Sequence, residues 1–288
     1  MNRVSKIQAI LVFLILIPAT VAAAPCVERS NGLAVGPVTA GLLDGDLGSA
    51  RRVCMRNEIG VRGSALLLVE LDNFFGRISG GLIVDGSWAI RDNLEIFGSV
   101  ELLRYESLIT PISSSTLSFG YTNVGAGWSF LETELLRLGV HGKVVLPTAQ
   151  PLNGHTHPFG LDAGLALSVN PLPWLQVHAH VGGLFSAAAG YGPAQPRGGA
   201  SLTAGVELIP VPKFAFVFDI NAMFGYTAPL EVLAIAPAIR LSNGKRFGFD
   251  IGANVPLAGR ERALLTLDLR ASVTLGPLPG AAPGPVDP

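Results

Sequence analysis

The sequence predicts an all-β fold: an antiparallel, up-and-down transmembrane β-barrel of about twelve strands. Three observations predict it. Apolar and polar residues alternate through one segment after another, most cleanly in 263–275, where Leu265, Leu267, Leu269, Ala271, Val273 and Leu275 fall on one face and Thr266, Asp268, Arg270, Ser272 and Thr274 on the other. Side chains of a strand point alternately to its two faces, so this is a strand with one oily and one wet face. The segments are also long, and a tilted strand needs about nine to eleven residues to cross a bilayer. Finally, the links between segments alternate between tight turns and longer loops, the outer-membrane arrangement.

Composition narrows the class. Hydrophobic residues make up 49% of the 288 and charged ones only 14%, where a soluble domain carries about 25% charged. The net charge of −1 leaves no basic face to neutralise phosphates, which excludes nucleic acid as a partner. Beyond the N-terminus no run of about eighteen uncharged apolar residues occurs, so no helix is expected to span a membrane.

Residues 1–24 have the layout of a secretory signal peptide: Arg3 and Lys6, then the apolar run Ile10–Ile17, then Pro18, Thr20 and Ala22-Ala23-Ala24. The run is too short for an anchor. Cys26 follows the expected cleavage site, but Pro25 before it is a poor residue for a lipidation signal. Residues 25–57 are rich in Gly and carry Arg51, Arg52 and Arg56. They are expected to form a periplasmic N-terminal segment, with a plug at the barrel mouth as one reading of it. Cys26 and Cys54 are the two cysteines. Export through an oxidising compartment makes a disulfide between them the expectation, worth about 3–4 kcal/mol in the chain-entropy model. Two free thiols are the alternative.

The barrel is expected over 58–275. Its first strand, 58–71, is poorly phased at Ala65–Val69. The second, 77–90, places Ile78, Leu82, Val84 and Trp88 on one face, and Arg91-Asp92-Asn93 turns the chain into 94–105. A polar stretch, 106–116, precedes the fourth strand at 117–130. The fifth, 134–147, sets Leu136, Leu138, Val140 and Val144 against Arg137, His141 and Lys143. After a long loop containing His155 and His157 come 159–170, the turn Pro171-Leu172-Pro173, and 174–187 with His178, His180 and Ser186 on its wet face. A Gly/Pro-rich loop leads to 200–209, Pro210-Val211-Pro212 to 213–225, and a short link to 230–242. Asn243-Gly244 is a hairpin signal before 245–256, and 263–275 closes the series. The tail, 276–288, is Pro/Gly/Ala-rich and expected to be disordered. Trp88, Trp128, Phe130, Phe214 and Phe247 lie on the oily faces beside tight turns, where an interfacial aromatic girdle belongs. A soluble β-sandwich also alternates, but with shorter strands whose large residues face inward.

With the oily faces in lipid, alternation assigns to the lumen Asp85, Glu95, Glu101, Arg137, His141, Lys143, Asp162, His178, His180, Glu207, Asp219, Arg246, Asp250, Asp268 and Arg270. A mid-plane Arg or Lys in lipid costs about 2–4 kcal/mol, which forces the assignment. Acids are slightly ahead, so a channel would prefer cations weakly. Twelve strands fall between the filled eight-stranded barrel and the aqueous sixteen-stranded pore, so both an open channel and a lumen filled by ion pairs remain readings. His141, His178 and His180 could hold a metal or titrate as a group, against the simpler reading of hydrogen-bonded lumen residues. No metal or other cofactor is expected.

Twelve long strands behind a signal peptide resemble the bacterial outer-membrane barrels, and among them the chain is similar to the transporters associated with phenol-degradation pathways. The resemblance implies an outer-membrane barrel that passes or binds small, hydrophobic solutes, with the lipid bilayer and the outer-membrane assembly machinery as partners. One departure is the end of the last strand: Thr274-Leu275 is followed by a tail where such barrels often end in an aromatic residue. A structural barrel without transport, or a barrel hydrolase, are the alternatives. No catalytic residue is identified: G-x-S-x-G and H-E-x-x-H are absent, and Ser186 stands six residues from His180 on one strand, about 20 Å away.

Overall fold

The computed structural model describes Ser49 and most of residues 57–274, leaving out short stretches of which the longest are 71–74, 110–113, 150–156, 190–195 and 243–246. The strands are β1 (Glu58–Glu70), β2 (Phe75–Arg91), β3 (Leu94–Ile109), β4 (Ser114–Ser118), β5 (Thr122–Glu132), β6 (Leu136–Leu146), β7 (His157–Leu172), β8 (Leu175–Ala189), β9 (Arg197–Val211), β10 (Phe214–Phe224), β11 (Val232–Ser242), β12 (Phe247–Ala258) and β13 (Ala263–Thr274). Neighbours in sequence pair antiparallel, and β1 pairs with β13, so the sheet closes on itself. The segments β4 and β5 both pair with β3 and act as one wall strand broken at residues 119–121. The wall therefore has twelve strands. No described helix is long and apolar enough to cross a membrane; crossing is by strands.

Closure answers a physical demand. In hydrocarbon every backbone N–H and C=O needs an internal partner, and an open sheet edge would leave a row of them bare. The outer surface meets the same demand with side chains. Trp88, Ile96, Val124, Leu165, Val181, Phe216, Ile220 and Leu269 are all among the exposed large apolar residues, spread around the whole wall. A soluble protein rarely exposes apolar patches beyond a few hundred Å²; a continuous apolar belt marks a membrane barrel.

One end carries tight turns. Connections β2–β3, β5–β6, β7–β8, β9–β10 and β11–β12 fall there, together with the start of β1 and the end of β13. At this end Trp88, Phe130, Trp174 and Phe247 are exposed, and the rings of Trp128 and Phe130 lie 5.7 Å apart, tilted at 51°. Trp174 completes the girdle from a turn position. The opposite end holds the longer loops.

The sequence placed all twelve wall strands, with differences at their ends. The polar stretch 106–116, read from the sequence as a gap between strands, is largely strand: β3 runs to Ile109 and β4 starts at Ser114. Ser, Arg and Glu there form a hairpin that extends the wall, because backbone pairing does not require an oily face. The poor phase at Ala65–Val69 corresponds to a register shift between Leu67 and Leu68 against β13. The expected signal peptide, most of segment 25–57, the Cys26–Cys54 pair, Arg246, His155 and the tail lie outside the described residues.

Candidate functional site

Most of the charged side chains that the wall turns inward meet in three groups. The largest lies toward the tight-turn end. Arg270 on β13 is its hub. Its Nη2 is 2.5 Å from Glu58 Oε1 on β1 and 2.5 Å from Asp85 Oδ2 on β2, its Nε donates to Asp85 Oδ1 at 3.1 Å, and its Nη1 is 3.8 Å from Asp250 on β12. Asp250 is shared with Arg240 on β11, whose Nε stands 3.2 Å away. Arg240 also approaches Glu207 on β9, at 3.7 Å. On the adjoining strands His178 donates from Nε2 to Asp219 Oδ1 at 2.6 Å. The band thus runs without a gap across the eight neighbouring strands from β2 round to β8.

Glycine makes these long contacts geometrically open. Gly60 on β1 is paired with Asp85 on one side and Ser272 on the other, and a Cβ there would stand 2.9 Å from Arg270 Nη2. Arg270 therefore crosses a whole strand over bare backbone to reach Asp85. Gly205 on β9 is paired with both His178 and Asp219, and a Cβ there would strike both partners. Gly164 on β7 does the same for His180 of β8, whose ring stacks at 4.8 Å on that of His141 from β6. A side chain at any of the three would fill the space through which strands two apart touch.

The second group surrounds that histidine stack. Lys143 Nζ lies 3.5 Å from Asp162 Oδ2 and donates to Ser49 Oγ at 2.9 Å. Ser49 is buried, ninety-four residues from Lys143 in sequence, and it precedes β1. The three histidines therefore divide: His141 and His180 stack, while His178 turns to Asp219.

The third group is on β3. Arg104 pairs with Glu101 at 3.2 Å and Glu106 at 2.5 Å, and its guanidinium lies 4.8 Å over the ring of Tyr121. Tyr121 occupies the break between β4 and β5, where its backbone N–H donates to Glu101 at 3.2 Å. Strict alternation would turn Arg104 outward. A bulge resolves this: Ile83 pairs with Glu101 and Leu82 with Leu103, so Leu102 is the extra residue. Leu102 and Leu103 are both exposed, and Arg104 and Glu106 turn inward. The signal in the sequence is the doublet Leu102-Leu103, which one uninterrupted strand cannot keep on one face.

Of the fifteen residues assigned to the lumen by alternation, Glu95, Glu101, Arg137, His141, Lys143, Asp162, His178, His180, Glu207, Asp219 and Arg270 are buried, and Asp85, Asp250 and Asp268 are half-buried. Glu58, Arg62, Arg104, Glu106 and Arg240 are buried as well, and alternation had not singled them out. Arg240 was legible, since it sits between Ile239 and Leu241, both of which face out. Toward the loop end the interior changes character: Leu184, Met223, Val232 and Ala234 form a buried apolar cluster.

No family model matches the chain, and no curated protein is similar to it. Solved structures are. The chain is similar to an outer-membrane channel from Pseudomonas putida F1, with 13% identity and a TM-score of 0.61 over 81% of this chain and 100% of that one. It is also similar to the β domain of the Bordetella autotransporter BrkA, at 10% identity and TM-score 0.51 over 76% of this chain and 99% of the other. A KdgM porin in complex with oligogalacturonate follows, at 10% identity and TM-score 0.50 over 76% and 99%. The chain has the fold of the bacterial outer-membrane β-barrels. Channel, autotransporter β domain and porin share that fold, so it is the interior that has to argue for a task.

Proposed function

We propose that this protein is an outer-membrane channel that passes or binds small solutes with an apolar part. The observation that carries the reading is the state of the buried polar atoms. Asn221 Nδ2, Ser201 Oγ, Asn254 Oδ1 and both ring nitrogens of His180 have no hydrogen-bond partner among the described residues. Leaving a buried polar group unsatisfied costs about 1–3 kcal/mol, and a filled, dry interior would incur that cost at every one. Water, or a solute that replaces it, satisfies them. The layering supports the same reading: an apolar cluster toward the loops, then a charged band toward the turns.

The likeness to the P. putida channel and to the KdgM porin agrees with transport. A structural barrel would need no such layering. Ser49, buried against Lys143, supports an N-terminal segment that reaches into the interior and narrows the path. Single-channel recording of the refolded protein in a planar bilayer, with and without residues 25–57, tests both points. Discrete steps are expected, larger in the shortened form. Silence from both forms, with the barrel folded by its heat-modifiable mobility, would refute transport through the interior.

A further inference from the structure

The orphaned atoms are not spread evenly. Asp219, Asn221 and Met223 alternate inward along β10, and Ser201 and Thr203 face them from β9, with Met223 paired to Ser201 and Asn221 to Thr203. Thr203 donates to Asn221 Oδ1 at 2.8 Å, which leaves the Asn221 amide nitrogen without a partner. Asp219 is fully buried; its Oδ1 accepts from His178, and its Oδ2 has no partner among the described residues. Ser201 Oγ and His180 are in the same condition. Both approach Gly182, where a Cβ would stand 2.9 Å from His180 Cε1 and 3.0 Å from Ser201 Oγ. Immediately toward the loop end lie Leu184, Met223 and Val232.

We infer that this sector, β8 to β11, is a binding site for a small amphiphilic amine, its ammonium on Asp219 and its apolar body against Leu184, Met223 and Val232. The inference rests on the channel reading only in needing a solute to reach the interior. Charge selects an amine over an acid. Asp219, Glu207 and Asp250 gather around the guanidinium of Arg240; Arg270 reaches Asp250 as well but is itself shared with Glu58 and Asp85, so acids outnumber the guanidinium groups that face them. A protonated amine supplies donors that Asp219 Oδ2 lacks. Ser201 and Asn221 remain for a hydroxyl or carbonyl beside it. A carboxylate in the same place would meet Asp219 head-on.

Titration calorimetry of the folded protein in detergent, with benzylamine, benzoate and methylamine as probes, tests this. Benzylamine is expected to bind, and benzoate to bind at least about tenfold more weakly, the difference a charge-assisted hydrogen bond makes. Asp219→Asn should weaken benzylamine by a similar factor. Met223→Ala, which leaves the carboxylate in place, should weaken benzylamine while sparing methylamine. Equal binding of benzylamine and benzoate, or benzylamine binding unchanged in both variants, would overturn the site. The channel reading is scored separately: benzylamine binding without conductance steps keeps the site and removes the channel, and steps without benzylamine binding do the reverse.

Discussion

Replacing Arg270 with alanine removes the hub of the charged band and leaves three carboxylates converging without it. The side chain is only 7% exposed and its Glu58 partner 4%. Breaking a buried pair by removing one partner costs about 3–5 kcal/mol, most of it from the charge left behind. Asp85 and Asp250 keep some exposure, 14% and 16%, so Arg270→Ala is expected at the lower end of that range, about 3 kcal/mol. Arg270→Lys keeps the charge but loses the fork that serves Glu58 and Asp85 together, and about 1 kcal/mol should be lost. Asp85→Asn, at a more exposed partner (14%), should cost about 1 kcal/mol or less. The two changes should not add, because removing the arginine relieves Asp85→Asn of its penalty; a coupling about equal to that penalty, up to about 1 kcal/mol, is expected from the double-mutant cycle. Urea unfolding in lipid vesicles, followed by tryptophan emission and by heat-modifiable mobility, gives the four free energies. An Arg270→Ala barrel within about 0.5 kcal/mol of the parent, the range of an ordinary surface change, would refute a band held through Arg270.

Gly205→Ala should cost about 1–3 kcal/mol through overpacking, because its Cβ would meet the Phe218 carbonyl at 2.7 Å and His178 Nε2 at 2.8 Å as well as Asp219. Backbone cannot swing aside. Gly183→Ala is the control: nothing lies within 4 Å of its Cβ, and the same unfolding assay should find it within about 0.5 kcal/mol of the parent. Leu165→Arg, on the exposed face of β7, should cost about 2–4 kcal/mol if that position lies near the bilayer midplane, while Val211→Arg at the turn end should cost about 1 kcal/mol or less. Equal costs at the two positions would argue against a bilayer around the belt.

The inward or outward sense of most residues was legible because alternation has a period of two and a bilayer penalises the wrong phase heavily. Leu267, Leu269 and Val273 could face only one way. Where legibility failed, the cause was an insertion in the period. One extra residue at Leu102 reverses the faces of everything after it on β3, which is why Arg104 and Glu106 needed the structure. The break at residues 119–121 is of the same kind.

By itself the sequence determined the class of fold, the number of wall strands and which faces meet lipid, because each follows from local periodicity and the cost of a misplaced side chain. Only the tertiary structure decided which inward residues touch. Register and curvature bring together residues from strands far apart in the chain. Arg270 and Asp85 lie 185 residues apart and meet because β13 closes onto β1 and Gly60 between them carries no side chain. The pairing of His178 with Asp219 across Gly205, the stack of His141 on His180 across Gly164, and the buried seat of Ser49 on Lys143 have the same origin. A strand's own pattern records which way a side chain points; the closed wall alone sets what stands opposite.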